Sequence, residues 1–253
     1  MNHIIINKNI LSCYEDDNIV ISNNKITFKK NGDYTLEYLD SDCIQLEIEV
    51  IDNVMVKLFV FGINQKLKIN NWYRLGEYSN LLLFKFYYND MVDEVLKIDL
   101  NGKFSKFSYA FSSISKGEEE YHIIVNHNNC CVSSNISNQC IGMDDSKIKI
   151  QIDSVLEKGN IDCVMDQTSR ILTLGDVDAM VIPNMFIDED SVEARHGSVI
   201  GGFSDDEVFY LMSRGLPEDE TITLLIRGFI FSNLVVDMEK RAKIFQVLQD
   251  LRR

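Results

Sequence analysis

The chain has 253 residues, with 39 Asp or Glu against 25 Lys or Arg, and its formal net charge is -14 at pH 7. An acidic surface repels nucleic acid and anionic lipid headgroups, so this charge argues against both partners and favours a protein partner. The length suits either one large all-β unit or two smaller domains.

The beginning of the chain, Met1–Lys8, lacks the features of a signal peptide, and no later segment is apolar over enough length to cross a bilayer. We therefore expect a soluble, cytoplasmic protein. In that compartment the six cysteines are expected to be reduced thiols and not a disulfide framework. They are Cys13, Cys43, Cys130, Cys131, Cys140 and Cys163.

Short alternating runs, separated by Asn, Asp, Gly and Ser, extend from Ile4 to about Val181. Apolar positions that repeat every second residue predict β-strands, and a strand every ten residues or so fits a sandwich, a barrel or a stacked β-helix. The polar segment Ser112–Glu120 is interpreted as a loop within this region. Strands are predicted at residues 19–21, 25–28, 34–38, 44–50, 54–61, 81–88, 95–100, 121–125, 148–152 and 171–174.

The sequence changes character after Gly201. Ser204 and Glu207 have the spacing of a helix capping box, Gly215 can end that helix, and Pro217 followed by acids can begin another. Apolar residues then recur at helical spacing in two segments. These features predict a β domain over residues 1–200 and a helical subdomain over residues 201–253. The helical apolar positions are Ile222, Leu225, Ile226, Phe229 and Ile230, then Ile244, Val247, Leu248 and Leu251.

The segment 181–216 joins a strand that contains Pro183, a histidine at His196 and a helical run, Phe209-Tyr-Leu-Met-Ser-Arg-Gly215. This order resembles the signature of the SufB/SufD family of iron-sulfur cluster assembly scaffolds. The resemblance is close in the last third of the chain and loose over residues 122–179. It implies a mainly β fold, a right-handed parallel β-helix with a small C-terminal α-helical subdomain, a choice that the periodicity leaves open.

His196 is the main candidate site residue. In the SufD branch, the histidine at this motif position is implicated in cluster assembly at the interface between two scaffold subunits. The resemblance thus implies that the neutral imidazole of His196 ligates iron. The alternative is a histidine that only forms hydrogen bonds in a turn. Cys163 is a second candidate metal ligand, against the more common role of a buried structural cysteine. Glu193 and the acid run Asp188–Asp190 are candidates for oxygen ligands, against a solvated surface.

The SufB branch carries a cysteine shortly after the signature proline, where this chain has Met185–Ile187. The resemblance is therefore to the SufD branch. In the family, the C-terminal helical segment contacts an ABC-type ATPase, SufC, which implies a partner-binding role for the matching residues. The alternative is that the same apolar stripe packs against the β region. The predicted partner-binding residues are Phe209, Tyr210, Arg214, Gly215, Leu225 and Phe229.

The resemblance implies a scaffold that binds a transient iron-sulfur cluster and catalyses no covalent reaction of its own. Its partners would be a SufC-like ATPase and a second scaffold subunit, either another copy of the chain or a SufB-like relative. The sequence has no phosphate-binding loop, so ATP hydrolysis is expected in the partner. One alternative is a degenerate adaptor that binds the ATPase and holds no cluster. Another is a carbohydrate-active β-helix, which needs a pair of catalytic acids and usually an export signal.

Overall fold

A computed structural model describes residues 2–7, 10–13, 17–63, 66–143 and 145–250. They form a parallel β-solenoid of about 6 turns, 62% strand, with three helices near the C-terminus. The prediction of a mainly β, stacked parallel β-helix is confirmed. The strands are β1 (Asn2–Asn7), β2 (Ile10–Cys13), β3 (Ile19–Ser22), β4 (Lys25–Phe28), β5 (Gly32–Leu39), β6 (Cys43–Val50), β7 (Met55–Ile63), β8 (Lys66–Leu75), β9 (Asn80–Leu100), β10 (Lys106–His127), β11 (Ser133–Met143), β12 (Lys147–Leu156), β13 (Cys163–Leu174), β14 (Asp178–Ile187) and β15 (Val192–Gly201).

The strands form two layers that enclose a common core. The front layer runs β1, β5, β7, β9, β10, β11, β13 and β15, and the back layer runs β4, β6, β8, β9, β10, β12 and β14, all in parallel pairs. Strands β9 and β10 each pass through both layers, and the register of their pairing shifts between Ser115 and Glu118 at the corner. Residues at equivalent positions of successive turns therefore stack in columns along the solenoid.

Alternation in each strand decides which side chains enter the core. In β12, Ile148, Ile150 and Ile152 are fully buried between the layers, while the residues between them face outward. Since parallel strands stack in register, each buried residue packs on the equivalent residue of the next turn. The core therefore runs lengthwise through the solenoid.

The prediction of a loop at Ser112–Glu120 is wrong, because this segment lies inside β10. Ser113 and Glu119 point into the interior, where the Ser113 hydroxyl donates a hydrogen bond to the Glu119 carboxylate at 2.8 Å. Polar side chains are thus buried at the corner and are joined by a hydrogen bond, as is usual for buried polar groups. Their polarity does not indicate contact with solvent.

Three helices follow: α1 (Asp205–Ser213), α2 (Glu218–Asn233) and α3 (Met238–Asp250). The capping box of α1 is confirmed, since the Glu207 N–H donates to the Ser204 hydroxyl at 3.2 Å and the reciprocal bond is present. Helices α2 and α3 bury Ile230 and Ile244 on the outer surface of the front layer. None of the described helices combines the length and the apolar character needed to cross a membrane. The division at residue 200 stays a prediction, and Leu251 lies outside the described residues.

Candidate functional site at the open end of the solenoid

The main candidate, His196, lies in the middle of β15, the last strand of the front layer. It pairs in register with Gln167 of β13, which pairs with Ile136 of β11. Gln167 and Ile136 are buried in the interior, and His196 occupies the same column, so its side chain is on the interior side. His196 is nevertheless exposed, because β15 belongs to the last turn. The alternative of a turn histidine is wrong.

The end of the core around His196 is apolar and only partly covered. Met185 of β14 and Val192 of β15 pack on the core cluster but stay half-buried. Ile200, on the interior side of β15, is an exposed large apolar residue, and Phe186 and Val199 are exposed on the outer faces of the same two strands. In the described chain, β14 pairs only with β12 and β15 pairs only with β13. Unpaired strand edges next to exposed apolar side chains are typical of interaction sites.

The charged neighbours of His196 are on the other side of its strand. Arg195 lies on the outer surface, with a guanidinium nitrogen 3.6 Å from the Glu193 carboxylate and another 3.9 Å from that of Asp166. In the described part of the chain, the His196 imidazole has no hydrogen-bond or ion-pair partner. Its ring nitrogens are thus open to a ligand.

The acid run before β15 stabilises a turn. Glu189 accepts hydrogen bonds from the backbone N–H groups of Gly159, at 2.9 Å, and of Asp190, at 3.0 Å. These backbone bonds hold the pKa of the Glu189 carboxyl below its usual value. Its oxygens are therefore already engaged, and this arrangement favours a structural role for the carboxylate.

The second candidate, Cys163, begins β13 and is buried. Its thiol donates to the carbonyl oxygens of Asn129 and Asn160, both at 3.3 Å, and burial raises the thiol pKa. Metal ligation requires the thiolate, so this environment favours the structural role. Cys163 pairs with Val192, four residues from His196 along β15, which separates the two candidates by about 13 Å. The structure does not bring them together. Cys43, Cys130, Cys131, Cys140 and Cys163 are all free thiols.

Residues 70–229 match the family model for the SUF system FeS cluster assembly SufBD core domain, which is more than half of the chain. The chain belongs to the SufBD family. A SufBD family protein of Mycobacterium leprae is 39% identical over 85 residues, which are 32% of this chain and 21% of that protein. The SufD protein of Bacillus subtilis is 38% identical over 80 residues, 30% of this chain and 17% of SufD. A SufBD family protein of Pyrococcus horikoshii is 32% identical over 95 residues, 35% and 20% of the two chains.

The aligned segments span about a fifth of the length of these relatives. The SufBD core match begins in β8 and ends in α2, so it contains both ligand candidates and the first helix. Within the described residues of the chain, no group of three or more His, Cys, Asp or Glu side chains is placed to hold a metal ion.

Helix α1 of this SufBD protein lies on the surface with none of its residues buried. The side chain of Phe209 is 73% exposed and that of Tyr210 is 57% exposed. The Arg214 guanidinium is 3.3 Å from the Tyr210 hydroxyl and also lies over its ring, while Gly215 takes a positive φ of 92° after the helix. The structure therefore brings these four predicted partner-binding residues together on one exposed surface.

The other two predicted partner-binding residues lie on α2. Leu225 is half-buried, and Phe229 is buried against the front layer, where the Arg170 guanidinium is 5.3 Å from its ring centre. A direct contact between Phe229 and a partner would require its side chain to leave this cluster. The apolar stripe is thus divided between an exposed α1 and a packed α2. Packing against the β region describes α2, and the partner-binding role of α1 stays a prediction.

Sequence reasoning missed Gln167, which lies one turn below His196. Its amide nitrogen donates to the Ser154 hydroxyl at 2.7 Å and to the Asn184 carbonyl at 3.3 Å, which connects the two layers. No motif marks this residue. Only the register of β13 and β15, which the structure supplies, places it next to the candidate histidine.

Proposed function

We propose that this chain is a SufD-like scaffold component of an iron-sulfur cluster assembly complex. The cluster is its transient cargo, held in part by His196, and the scaffold catalyses no covalent reaction of its own. The observation that carries this proposal is the position of His196, which projects from the interior side of the last turn with open ring nitrogens. A neutral imidazole nitrogen is a suitable iron ligand.

The residues at the open end fit a shared site. His196 supplies one ligand, whereas iron-sulfur clusters are held by several side chains, mostly thiolates. The signature cysteine of the SufB branch is replaced here by Met185, Phe186 and Ile187. We therefore assign the remaining ligands to a second subunit, either another copy of this chain or a SufB-like relative. The unpaired edges of β14 and β15, with exposed Val199 and Ile200, suit that contact.

The ATPase partner is assigned to α1. Docking of a helix into a groove needs apolar anchors that project from the surface, and Phe209 and Tyr210 project in this way. The SufC-like partner would supply ATP hydrolysis in the cytoplasm, and its rearrangement would be transmitted from α1 to the open end. Gly202, Phe203 and Ser204 alone separate β15 from α1, so the two sites are adjacent along the chain.

The test is an anaerobic co-purification of the tagged chain with the SufC-like ATPase of the same genome, with stoichiometry and visible absorption recorded together. We expect a complex with an iron-sulfur chromophore. The double substitution Phe209→Ala and Tyr210→Ala should abolish the complex, while Tyr78→Ala, an exposed aromatic residue of the solenoid, is the matched control and should retain it. Absence of any complex under every nucleotide condition would contradict the proposal.

His196→Ala separates the scaffold from the adaptor, the second candidate that the missing signature cysteine favours. In a scaffold, this substitution removes the chromophore and retains ATPase binding. The control is His122→Ala, since His122 lies on the outer surface of the back layer beside Asp153 and should not affect the chromophore. An ATPase complex that carries no chromophore even with His196 present would support the adaptor instead, and a chromophore unchanged by His196→Ala would contradict the ligand role of His196.

A further inference from the structure

The side-chain amide of Gln167 has a fixed orientation. Its nitrogen is 3.3 Å from the backbone carbonyl oxygen of Asn184, which can only accept a hydrogen bond, and 2.7 Å from the Ser154 hydroxyl. A flipped amide would place two acceptor oxygens against each other at Asn184. The amide oxygen of Gln167 must therefore point away from the Asn184 carbonyl oxygen.

That oxygen has no hydrogen-bond donor among the described residues, and water cannot easily reach it, because only 1% of the Gln167 surface is exposed. Burial of an unpaired amide oxygen is costly, on the order of 1–3 kcal/mol. The side chain that follows Gln167 in its column is that of His196, on the adjacent strand about 4.8 Å away. The His196 ring, in turn, has no partner within the described chain, and a neutral imidazole carries one N–H donor.

We propose that Gln167 is the positioning residue for His196: its amide oxygen accepts the hydrogen bond of one ring N–H and leaves the other ring nitrogen, with its lone pair, facing the open end. The role of this hydrogen bond in cluster assembly rests on the proposed function, but the formation of the hydrogen bond does not. Histidines that bind metals commonly donate their other N–H to a fixed acceptor, which sets the tautomer and the ring orientation. In the described part of the chain, the Gln167 oxygen and the His196 ring are both without a partner and occupy adjacent places in one column, and the proposed hydrogen bond would satisfy both.

The test is a long-range ¹H–¹⁵N correlation spectrum of the full chain labelled with ¹⁵N-histidine, recorded without metal or partner. The chain has only 4 histidines, so His196→Ala assigns the signal of residue 196. We expect a single neutral tautomer for His196 in the unmodified chain and an average of two tautomers in Gln167→Met, which keeps the volume and removes the oxygen. Ser154→Ala is the matched control, because it changes the same interior turn and leaves the amide held by Asn184.

An unchanged His196 tautomer in Gln167→Met would overturn the proposal, and so would averaged tautomers in the unmodified chain. The second result needs no Gln167 variant, so it remains available if Gln167→Met does not fold. Unchanged signals of His122 and His127 report that the fold is intact. Cluster reconstitution is a separate readout: a yield about 10-fold lower in Gln167→Met than in Ser154→Ala is expected for loss of a partner that orients a ligand. A fixed tautomer together with an unaffected cluster in His196→Ala would support the positioning role and contradict the proposed function.

Discussion

The middle turns of the solenoid and its last turn use the same alternating pattern with opposite results. Ile171 of β13 and Ile200 of β15 are paired in one interior column, yet Ile171 is 0% exposed and Ile200 is 46% exposed. Both side chains are apolar and both are on the interior side. The difference is that another turn covers the first residue, whereas no turn among the described residues covers the second. The same residue type and alternation therefore give a buried core in the middle and an exposed apolar surface at the end.

Some interior polar groups show a similar contrast. In the middle turns, the buried Lys85 ammonium forms an ion pair with the buried Glu94 carboxylate, and Ser113 is bonded to Glu119. At the last turn, His196 has no partner in the described chain. These middle-turn groups are paired with each other, whereas His196 at the open end is not, so a second subunit or a ligand can complete it. The contrast holds for these pairs and not for every interior atom, since the Glu119 Oε1 and the Gln167 amide oxygen have no partner among the described residues.

The largest expected effect comes from breaking the compensation in the middle. Lys85→Met leaves the Glu94 carboxylate buried and unpaired, so the free energy of unfolding should fall by about 3–5 kcal/mol in urea denaturation. Replacing both members of the pair, with Glu94→Met added, should recover most of this loss because no buried charge remains. A double variant as unstable as Lys85→Met would show that the pair is not what matters at this position.

The two paired isoleucines give the next test. Ile171→Ala creates a cavity in the closed core and should lower the free energy of unfolding by about 2–5 kcal/mol. Ile200→Ala removes the same atoms from an exposed position and should change it by less than about 0.5 kcal/mol. It should instead weaken subunit pairing, measured by sedimentation velocity. Equal destabilisation by both substitutions would contradict the contrast between the turns.

Glu119 tests the interior by pH. Burial raises the pKa of its carboxyl from 4.5 to about 7, so between these values the folded chain keeps a proton that the unfolded chain releases. Its contribution to stability is complete below pH 4.5 and is lost as the pH rises toward 7. Glu119→Gln does not titrate, and its stability relative to the unmodified chain should therefore rise by about 3 kcal/mol across this window. Urea titrations at several pH values measure it, and a difference that does not vary with pH would contradict the buried neutral carboxyl.

Alternation was sufficient to predict strands wherever the interior side chains are apolar. Strands β7 and β12 are examples, since Val56 and Leu58, or Ile150 and Ile152, are separated by more polar residues. The family resemblance then selected the stacked arrangement, which periodicity alone could not. It also placed His196 in the segment that ends the solenoid.

Strands β8 and β11 were missed because their interior residues are partly polar. Asn71 of β8 is buried and donates to the Tyr38 hydroxyl, and Asn138 of β11 is buried and donates to the Ser169 hydroxyl. Sequence patterns assign such residues to turns. Gln167 was not identified from the sequence for the same reason. A buried amide can be recognised only when its neighbours in the adjacent turns are known.

The smallest expected effect concerns two histidines, one in each region. His127 is buried in a middle turn, where its ring is 3.1 Å from the Val155 carbonyl oxygen and 2.9 Å from the Ser134 hydroxyl. His127→Gln should lower the free energy of unfolding at pH 7 by about 1–3 kcal/mol, because it disturbs buried hydrogen bonds. His196→Gln, at the open end, should change it by less than about 0.5 kcal/mol.

The pH dependence of the His127 contribution gives a further test. Burial lowers the pKa of His127 from 6.5 to about 4, so between these values the unfolded chain binds a proton that the folded chain does not. The stability from a neutral His127 is complete above pH 6.5 and is lost as the pH falls toward 4. His127→Gln should therefore lose less stability than the unmodified chain on acidification. Parallel curves for His127→Gln and the unmodified chain would contradict the lowered pKa of His127.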